Sequence, residues 1–343
     1  MSRATLIGPD GSPRSKPHSL AVALAQGSAR YGVIWAALLV IVASRLIYPG
    51  FLALANLRDL LTQETPNGMV AVGMTLLLLT GAFDLSAGAI LALCAVVYAG
   101  IADQMPLAAA AVLTLALGGG AGLVNGLIVT RLRVNPFIAT LGTASAFGGA
   151  AVLYTQGQAI VVAKPSFQTL GNGEWLGIPI QVVLLVTITI LVGLLLTYTR
   201  FGRGVYAVGG NAAASRVCGI RVNGIRVAAY VIVGLCSALG GMVVGSSLGV
   251  VQSTVGATTA LDAIAIVVVG GTSLLGGEGS MWRTVCGFVI LASIQNLLEA
   301  EAVSSSWQGI ITGTIIVAAV AADVGASRLQ AFRERRLGGR RER

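Results

Sequence analysis

The sequence predicts an all-α polytopic membrane protein with about ten transmembrane helices, some of which are interrupted. Only 10% of its 343 residues are charged and 55% are apolar, whereas soluble domains carry about 25% charged residues. The apolar residues gather in runs close to the roughly 20 residues that cross a hydrocarbon core. The 46 glycines fit this class, because helices in lipid pack closely through small residues.

The candidate spans are the apolar runs of the chain, taken in order. The second and third runs are short, and only the tight turn Phe83-Asp84-Leu85 separates them, so the number of spans around residues 68–102 is left open. The runs are 31–48, 68–83, 86–102, 107–130, 136–154, 178–198, 227–250, 259–275, 283–298 and 307–324.

The single transmembrane domain has a hydrophilic segment at each end. Residues 1–30, which are rich in Pro, Gly and Ser, are predicted to form a disordered cytoplasmic tail. Residues 31–325 form the transmembrane domain, with a cytoplasmic loop at about 199–226. Residues 326–343 form a basic cytoplasmic tail, which we interpret as an anchor attracted to anionic lipid.

The positions of the basic residues predict that both termini lie in the cytoplasm. With this orientation, all but three of the 22 lysines and arginines fall on the cytoplasmic side, the exceptions being Arg45, Arg58 and Lys164. Such an excess is the usual sign of cytoplasmic loops. The same positions argue against nucleic-acid binding despite the net charge of +9, because the charges flank spans instead of forming a separate basic surface.

The chain offers no metal site, no bound cofactor and no catalytic group of residues. Its single histidine, His18, lies in the N-terminal tail, and a membrane-embedded enzyme therefore has no supporting constellation. A P-loop requires Gly-Lys followed by Ser or Thr, and neither Lys16 nor Lys164 has that context. An ATP-driven mechanism would consequently need its ATPase on another chain.

The loop at 199–226 carries five arginines and no acid. Within it, Asn211 predicts a helix N-cap, the sequence AAASRV predicts a short helix, and Gly219 predicts its end. A structured basic loop on the cytoplasmic side of a membrane protein predicts a docking surface for another chain.

Two glycine-rich turns, GAFDLSAG (81–88) and GGTSLLGGEGS (270–280), interrupt apolar runs. Such backbone must be buried in protein or face water. Asp84 is predicted to cap the following helix, with direct ligand contact as the alternative, and Asp262 at the start of the eighth span has the same two interpretations. The candidate pathway or helix-break residues are Asp84, Ser86, Asn125, Asp262, Thr272, Ser273 and Asn296.

These residues leave two functional hypotheses open. One is a subunit that is driven by an ATPase on a separate chain. The other is a stand-alone proton-coupled secondary transporter, in which Asp84 and Asp262 carry the protons. The amides Asn125, Gln295 and Asn296 either bond across helices or line the pathway in both cases.

Five segments together resemble the permease subunits of ATP-binding-cassette importers for monosaccharides, the ribose and xylose type. They follow the family's order over about residues 66–323. The segments are GMTLLLLTGAFDLSAGAILAL, NGLIVTRLRVNPFIATLGT, YAVGGNAAASRVCGI, LDAIAIVVVGGTSLLGGEGS and IIVAAVAAD.

The resemblance implies a non-catalytic permease in the bacterial cytoplasmic (inner) membrane. It would form the pathway for a monosaccharide or similar neutral polyol delivered by an extracytoplasmic sugar-binding protein. Its other partners would be cytoplasmic ATPase subunits, which use ATP and Mg, and a second permease copy or paralogue. In this family a short helix of the cytoplasmic loop seats in a groove of the ATPase. The corresponding residues are Gly209, Gly210, Asn211, Ala212, Ala213, Ala214, Ser215, Arg216, Val217, Cys218, Gly219 and Ile220.

Overall fold

A computed structural model describes residues 20–304, 306–318 and 320–321, with side chains from residue 31 onward. Helices account for most of this part of the chain. They are α1 Leu20–Ile47, α2 Leu54–Leu79, α3 Ala87–Ala102, α4 Leu107–Thr130, α5 Pro136–Thr155, α6 Thr169–Asn172, α7 Ile180–Tyr198, α8 Arg200–Gly210, α9 Ala212–Val217, α10 Val222–Leu248, α11 Thr259–Val269, α12 Met281–Ala300 and α13 Ser306–Ala318.

Four two-residue strands form two small antiparallel pairs. They are β1 Ile160–Val161, β2 Glu174–Trp175, β3 Ile178–Pro179 and β4 Val250–Val251. In the first pair, β1 joins β4 with Ile160 opposite Val251. In the second pair, β2 joins β3 with Glu174 opposite Pro179. The β1–β4 pair links the segment after α5 to the end of α10.

Five of the described helices are long and apolar enough to cross a membrane: α4, α5, α7, α10 and α12. Shorter apolar helices are found at Tyr31–Ile47, α3, α11 and α13. The all-α polytopic class is thus confirmed, and each predicted span overlaps a described helix in part or in full. The count of about ten spans stays a prediction, since several of these helices are short.

Two helices begin earlier in the chain than the predicted bounds. The first helix begins at Leu20, inside the predicted tail 1–30, because the alanine- and leucine-rich residues there favour a helix. Helix α2 begins at Leu54 instead of 68, and its first turns carry Arg58, Asp59 and Glu64. A search for continuous apolar residues misses such polar turns. The rest of the N-terminal tail, and the C-terminal tail 326–343, lie outside the described residues.

Helix α10 packs against α2, α3 and α4 at the centre of the fold. A Cβ atom on Gly118 of α4 would overlap the carbonyl oxygen of Gly234 of α10, and the reverse substitution would overlap the Gly118 carbonyl. The two backbones therefore touch where they cross, as is common for helices in lipid. Around this crossing the core is apolar, with Met69, Leu77 and Val233 fully buried.

The two glycine-rich turns are the breaks between α2 and α3 and between α11 and α12. Both turns follow helix ends, at Leu79 and Val269. Because α11 has only 11 residues, it spans about 16 Å at 1.5 Å per residue. The predicted interrupted helices are therefore present at both turns.

Candidate functional site

The basic loop at 199–226 folds into two helices, α8 and α9, and only the second was expected. Four glycines in α8 disfavour a helix by propensity alone. The helix is capped at its start by Thr199, whose Oγ1 accepts a hydrogen bond from Gly202 N at 3.1 Å. Threonine is a common N-cap residue, so this signal was available in the sequence. Val205 and Val208, three residues apart, are both buried. Tertiary packing therefore stabilises a helix that propensity does not favour.

Helix α9 has the predicted cap and end. Asn211 Oδ1 accepts from Ala213 N at 3.0 Å and from Ala214 N at 2.9 Å, and Gly219 takes a left-handed φ of 80° after the helix. Ser215 is the buried residue of the helix, and its hydroxyl donates to the carbonyl oxygen of Ala207 at 2.8 Å. This bond ties α9 to α8.

The outer side of α9 is open. Its exposed residues are Ala213, Ala214, Arg216 and Val217. Val217 is 90% exposed, so this apolar side chain is available for contact with a partner. Ala212 and Ile220 are partly exposed at its ends.

Helix α8 contacts the end of α2 and the second glycine-rich turn, and we call this contact the α8 junction. A Cβ atom on Gly209 would overlap the Leu79 carbonyl oxygen and the Gly277 amide. Gly277 N in turn donates to the Leu79 carbonyl at 3.0 Å. Gly276 and Gly277 have φ of 90° and 79°, a conformation that glycine adopts readily. Three segments far apart in the sequence therefore meet backbone to backbone.

Side chains reinforce the α8 junction. The Tyr206 hydroxyl donates to the Gly279 carbonyl at 3.1 Å, and burial raises the pKa of this phenol, which keeps its proton. From α10, Arg226 Nη2 donates to Thr80 O at 3.3 Å and the Tyr230 hydroxyl donates to Phe83 O at 3.1 Å. Hydrogen bonds thus join the second glycine-rich turn to α8 and the first glycine-rich turn to α10, the helices on either side of α9.

Asp84 forms a buried network with Ser86 and Asn125. Its Oδ1 accepts from Ser86 N at 2.8 Å and from Ser86 Oγ at 2.6 Å, and its Oδ2 accepts from Asn125 Nδ2 at 3.1 Å. Asn125 Nδ2 also donates to Ser86 Oγ at 2.7 Å. All three side chains are 0% exposed. The prediction that Asp84 caps α3 is wrong, because the N-cap of that helix is Ser86 and no side chain caps it. The bonds of Asp84 instead hold the turn before the helix, which favours a structural role at the helix break over direct ligand contact.

The other predicted pathway residues lie in two places. Thr272 and Ser273 belong to the second glycine-rich turn, at the α8 junction, where Thr272 is buried and Ser273 N donates to Glu278 O at 2.9 Å. Asp262 lies in the first turn of α11, at the end of that helix away from the α8 junction. It does not cap the helix as predicted, because the N-cap is Thr258. Asn296 pairs with Asn56 through reciprocal amide hydrogen bonds of 2.9 and 3.2 Å.

Asp262 belongs to a group that we call the polar cluster, together with Glu64, Asn67 and Gln295. Asn67 Nδ2 donates to Glu64 Oε2 at 3.1 Å. The side-chain nitrogen of Gln295, in the amide orientation that satisfies its hydrogen bonds, also donates to Glu64 Oε2 at 3.0 Å and contacts Glu64 Oε1. Glu64 was missed in the sequence because the predicted span began at residue 68. The heptad-like spacing of Leu57, Leu60 and Leu61 before it was the available sign of a helix.

The polar cluster borders a cavity of about 340 Å³ between α2, α11, α12 and α13. Among its lining residues are Asn67, Asp262, Gln295, Gln308 and Thr312. These side chains offer both donors and acceptors. Within the part of the chain that the structure describes, no group of His, Cys, Asp and Glu residues is arranged to hold a metal ion.

The chain matches the family described as branched-chain amino acid transport system / permease component over residues 56–320. It is 41% identical to the ribose import permease protein of Bacillus subtilis over 289 residues, which cover 83% of this chain and 89% of the relative. It is 33% identical to the L-arabinose transport system permease protein of Escherichia coli over 302 residues, which cover 86% of this chain and 90% of the relative. It is 35% identical to the galactose/methyl galactoside import permease protein of Haemophilus influenzae over 295 residues, which cover 80% of this chain and 88% of the relative. No solved structure matches.

Proposed function

Because the chain belongs to the branched-chain amino acid transport system permease component family, we propose that it forms the translocation pathway of an ATP-driven importer for a monosaccharide or similar neutral polyol. It is a non-catalytic subunit, and ATP with Mg is used by separate ATPase subunits. The three relatives named above are permeases for ribose, arabinose and galactose or its methyl glycoside, which supports a sugar as substrate. The stand-alone proton-coupled transporter is not supported.

The proposed assembly contains two permeases, cytoplasmic ATPase subunits and an extracytoplasmic binding protein. We propose that both termini and the 199–226 loop face the cytoplasm and that about ten spans cross the membrane. The basic loops and tails support this orientation, and the five long apolar helices support the multi-pass topology.

The observation that carries the mechanism is the position of α9. Its exposed face is free to enter a groove of the ATPase, and Asn211 alone separates it from α8. The Ser215–Ala207 hydrogen bond joins the two helices. Because α8 contacts Leu79 and Gly277 directly, displacement of α9 would shift both helix breaks at once. We propose that this shift opens the pathway alternately to each side.

Loss of the α9 cap tests this role. We expect Asn211→Ala to lower sugar-stimulated ATP hydrolysis of the reconstituted complex about fivefold, because losing an N-cap costs about 1 kcal/mol of helix stability. Asn211→Asp is the matched control, since aspartate caps equally well. Arg216→Ala, on the exposed face, is expected to weaken stimulation without changing α9. Full activity in both Asn211→Ala and Arg216→Ala would remove the loop as the coupling element.

We further propose that the polar cluster and its cavity form part of the sugar route. Sugar hydroxyls both donate and accept, and the carboxylate, amide and hydroxyl groups of the cavity complement them. Because the cavity lies between helices on either side of the second helix break, motion at the α8 junction would change its shape. Asn296, adjacent to Gln295, supports the cavity wall through its pairing with Asn56.

Two substitutions in the cavity test this proposal. We expect Asp262→Asn to slow sugar uptake by vesicles about tenfold, since a hydrogen bond to a charged group contributes about 1.5–3 kcal/mol, and Thr312→Val to slow it by a smaller factor. Thr314→Val is the control, because this exposed hydroxyl on the same helix donates to Ile310 O at 2.8 Å. Equal uptake rates in all three variants would exclude the cavity from the route.

A further inference from the structure

The face that carries α9 also holds a cavity lined by three arginines. Its volume is about 620 Å³. Arg133 comes from the connection between α4 and α5, Arg216 from α9, and Arg226 from the first turns of α10. Thr130, Asn135 and Asn223 complete the polar part of the lining. This cavity plays no part in the transport route described above.

Among the residues that the structure describes, no carboxylate forms an ion pair with these guanidinium groups. No Asp or Glu lines the cavity, and the one ion pair within the described residues joins Arg58 to Glu174, in another part of the molecule. Three like charges around one space repel each other. An anion in the cavity would remove that repulsion.

The fixed dipoles of the backbone act in the same direction. Asn135 and Pro136 stand at the start of α5 and Asn223 at the start of α10, and all three line the cavity. Helix N-termini carry partial positive charge and favour anions. Two helix starts and three arginines therefore make this space strongly electropositive.

Arg226 is held in place and still has a donor to offer. Arg226 Nη2 is fixed by its hydrogen bond to Thr80 O, while its buried Nε has no hydrogen-bond partner within the described structure. Arg133 takes a left-handed φ of 57°, a backbone conformation that costs free energy in a non-glycine residue. A bound anion would accept from the unpartnered donor and would offset this cost.

We propose that the cavity binds a phosphate group. Guanidinium groups bind phosphate through paired N–H donors, and a doubly charged anion matches several arginines better than one carboxylate does. The volume falls in the range of small-ligand sites. The phosphate would come from a soluble phosphate ester or from the headgroup of an anionic phospholipid. In either case it bridges α9 to the starts of α5 and α10.

Binding is tested on the purified full-length permease in zwitterionic phosphatidylcholine nanodiscs, with inorganic phosphate as the probe and chloride at equal ionic strength as the reference. We expect phosphate to raise the melting temperature and Arg133→Gln to weaken binding at least tenfold. Arg221→Gln is the control, because Arg221 is exposed and does not line the cavity. Arg133 lies in an exposed connection, so its replacement leaves the helices intact, whereas Arg226→Gln also removes the bond to Thr80.

A second series of nanodiscs containing phosphatidylglycerol distinguishes the two sources. If the lipid headgroup is the ligand, these discs raise the melting temperature in an Arg133-dependent manner and added phosphate gives no further rise. If a soluble ester is the ligand, phosphate acts equally in both lipids. The proposal is overturned if neither anion gives an Arg133-dependent shift in the melting temperature. Transport is not measured here, so failure would leave the proposed function untouched.

Discussion

Gly209→Ala is expected to reduce sugar-stimulated ATP hydrolysis and uptake by the assembled importer more than tenfold, whereas Gly210→Ala leaves both unchanged. A Cβ atom on Gly209 would overlap the Leu79 carbonyl oxygen and the Gly277 amide, while a Cβ atom on Gly210 would meet nothing within 4 Å. The obstructing atoms belong to the backbone and cannot rotate away. Overpacking of this kind costs about 1–3 kcal/mol and separates α8 from both helix breaks.

The two glycines make a closely matched pair. Both lie in the last turn of α8, and alanine raises helix propensity equally at each. The purified variants are compared by thermal unfolding and by ATPase assembly, so that a loss of coupling is distinguished from a loss of folding. Wild-type stimulation in Gly209→Ala would mean that the α8 junction does not transmit motion to the pathway.

Asp84→Ala is expected to lower the free energy of unfolding by about 2–3 kcal/mol, because it removes the shared acceptor of a buried network. Ser86 N and Asn125 Nδ2 would each lose that acceptor. Asn125 Oδ1 already lacks a partner within the described structure, so the network has little capacity to rearrange.

Reversible unfolding of the detergent-solubilised protein measures this effect. Asp59→Ala is the control, since Asp59 is exposed on α2 and surface changes usually stay within about 0.5 kcal/mol. Asp84→Asn keeps one acceptor and is expected to fall between the two. An Asp84→Ala protein as stable as wild type would mean that desolvation of the carboxylate outweighs its hydrogen bonds.

Local features of the site were predictable from the sequence, and long-range ones were not. The cap at Asn211 and the end at Gly219 depend on neighbouring residues, and the structure has both. Helix α8 was missed because its stability comes from tertiary packing, which includes contacts with α10 and α2. The function itself was indicated by the family resemblance, since composition and spacing left a proton-coupled transporter open.

Contacts between distant segments account for the other differences. Nothing in the sequence places Gly209 beside Gly277, or Arg133 beside Arg216 and Arg226. Glu64 was overlooked because polar residues in the first turns of α2 hide a helix from a search for apolar runs. Asp84 and Asp262, the two proton carriers of the proton-coupled hypothesis, belong to separate hydrogen-bond networks.

Because the α8 junction is made largely of backbone atoms, its geometry depends on few side-chain identities. The open face of α9, in contrast, consists of exposed side chains. Under the proposed coupling role, recognition of the ATPase and transmission of its motion to the membrane therefore depend on different parts of the loop. Substitutions at exposed positions such as Ala213 and Val217 are expected to alter ATPase binding, while a substitution at Gly209 is expected to disturb transmission.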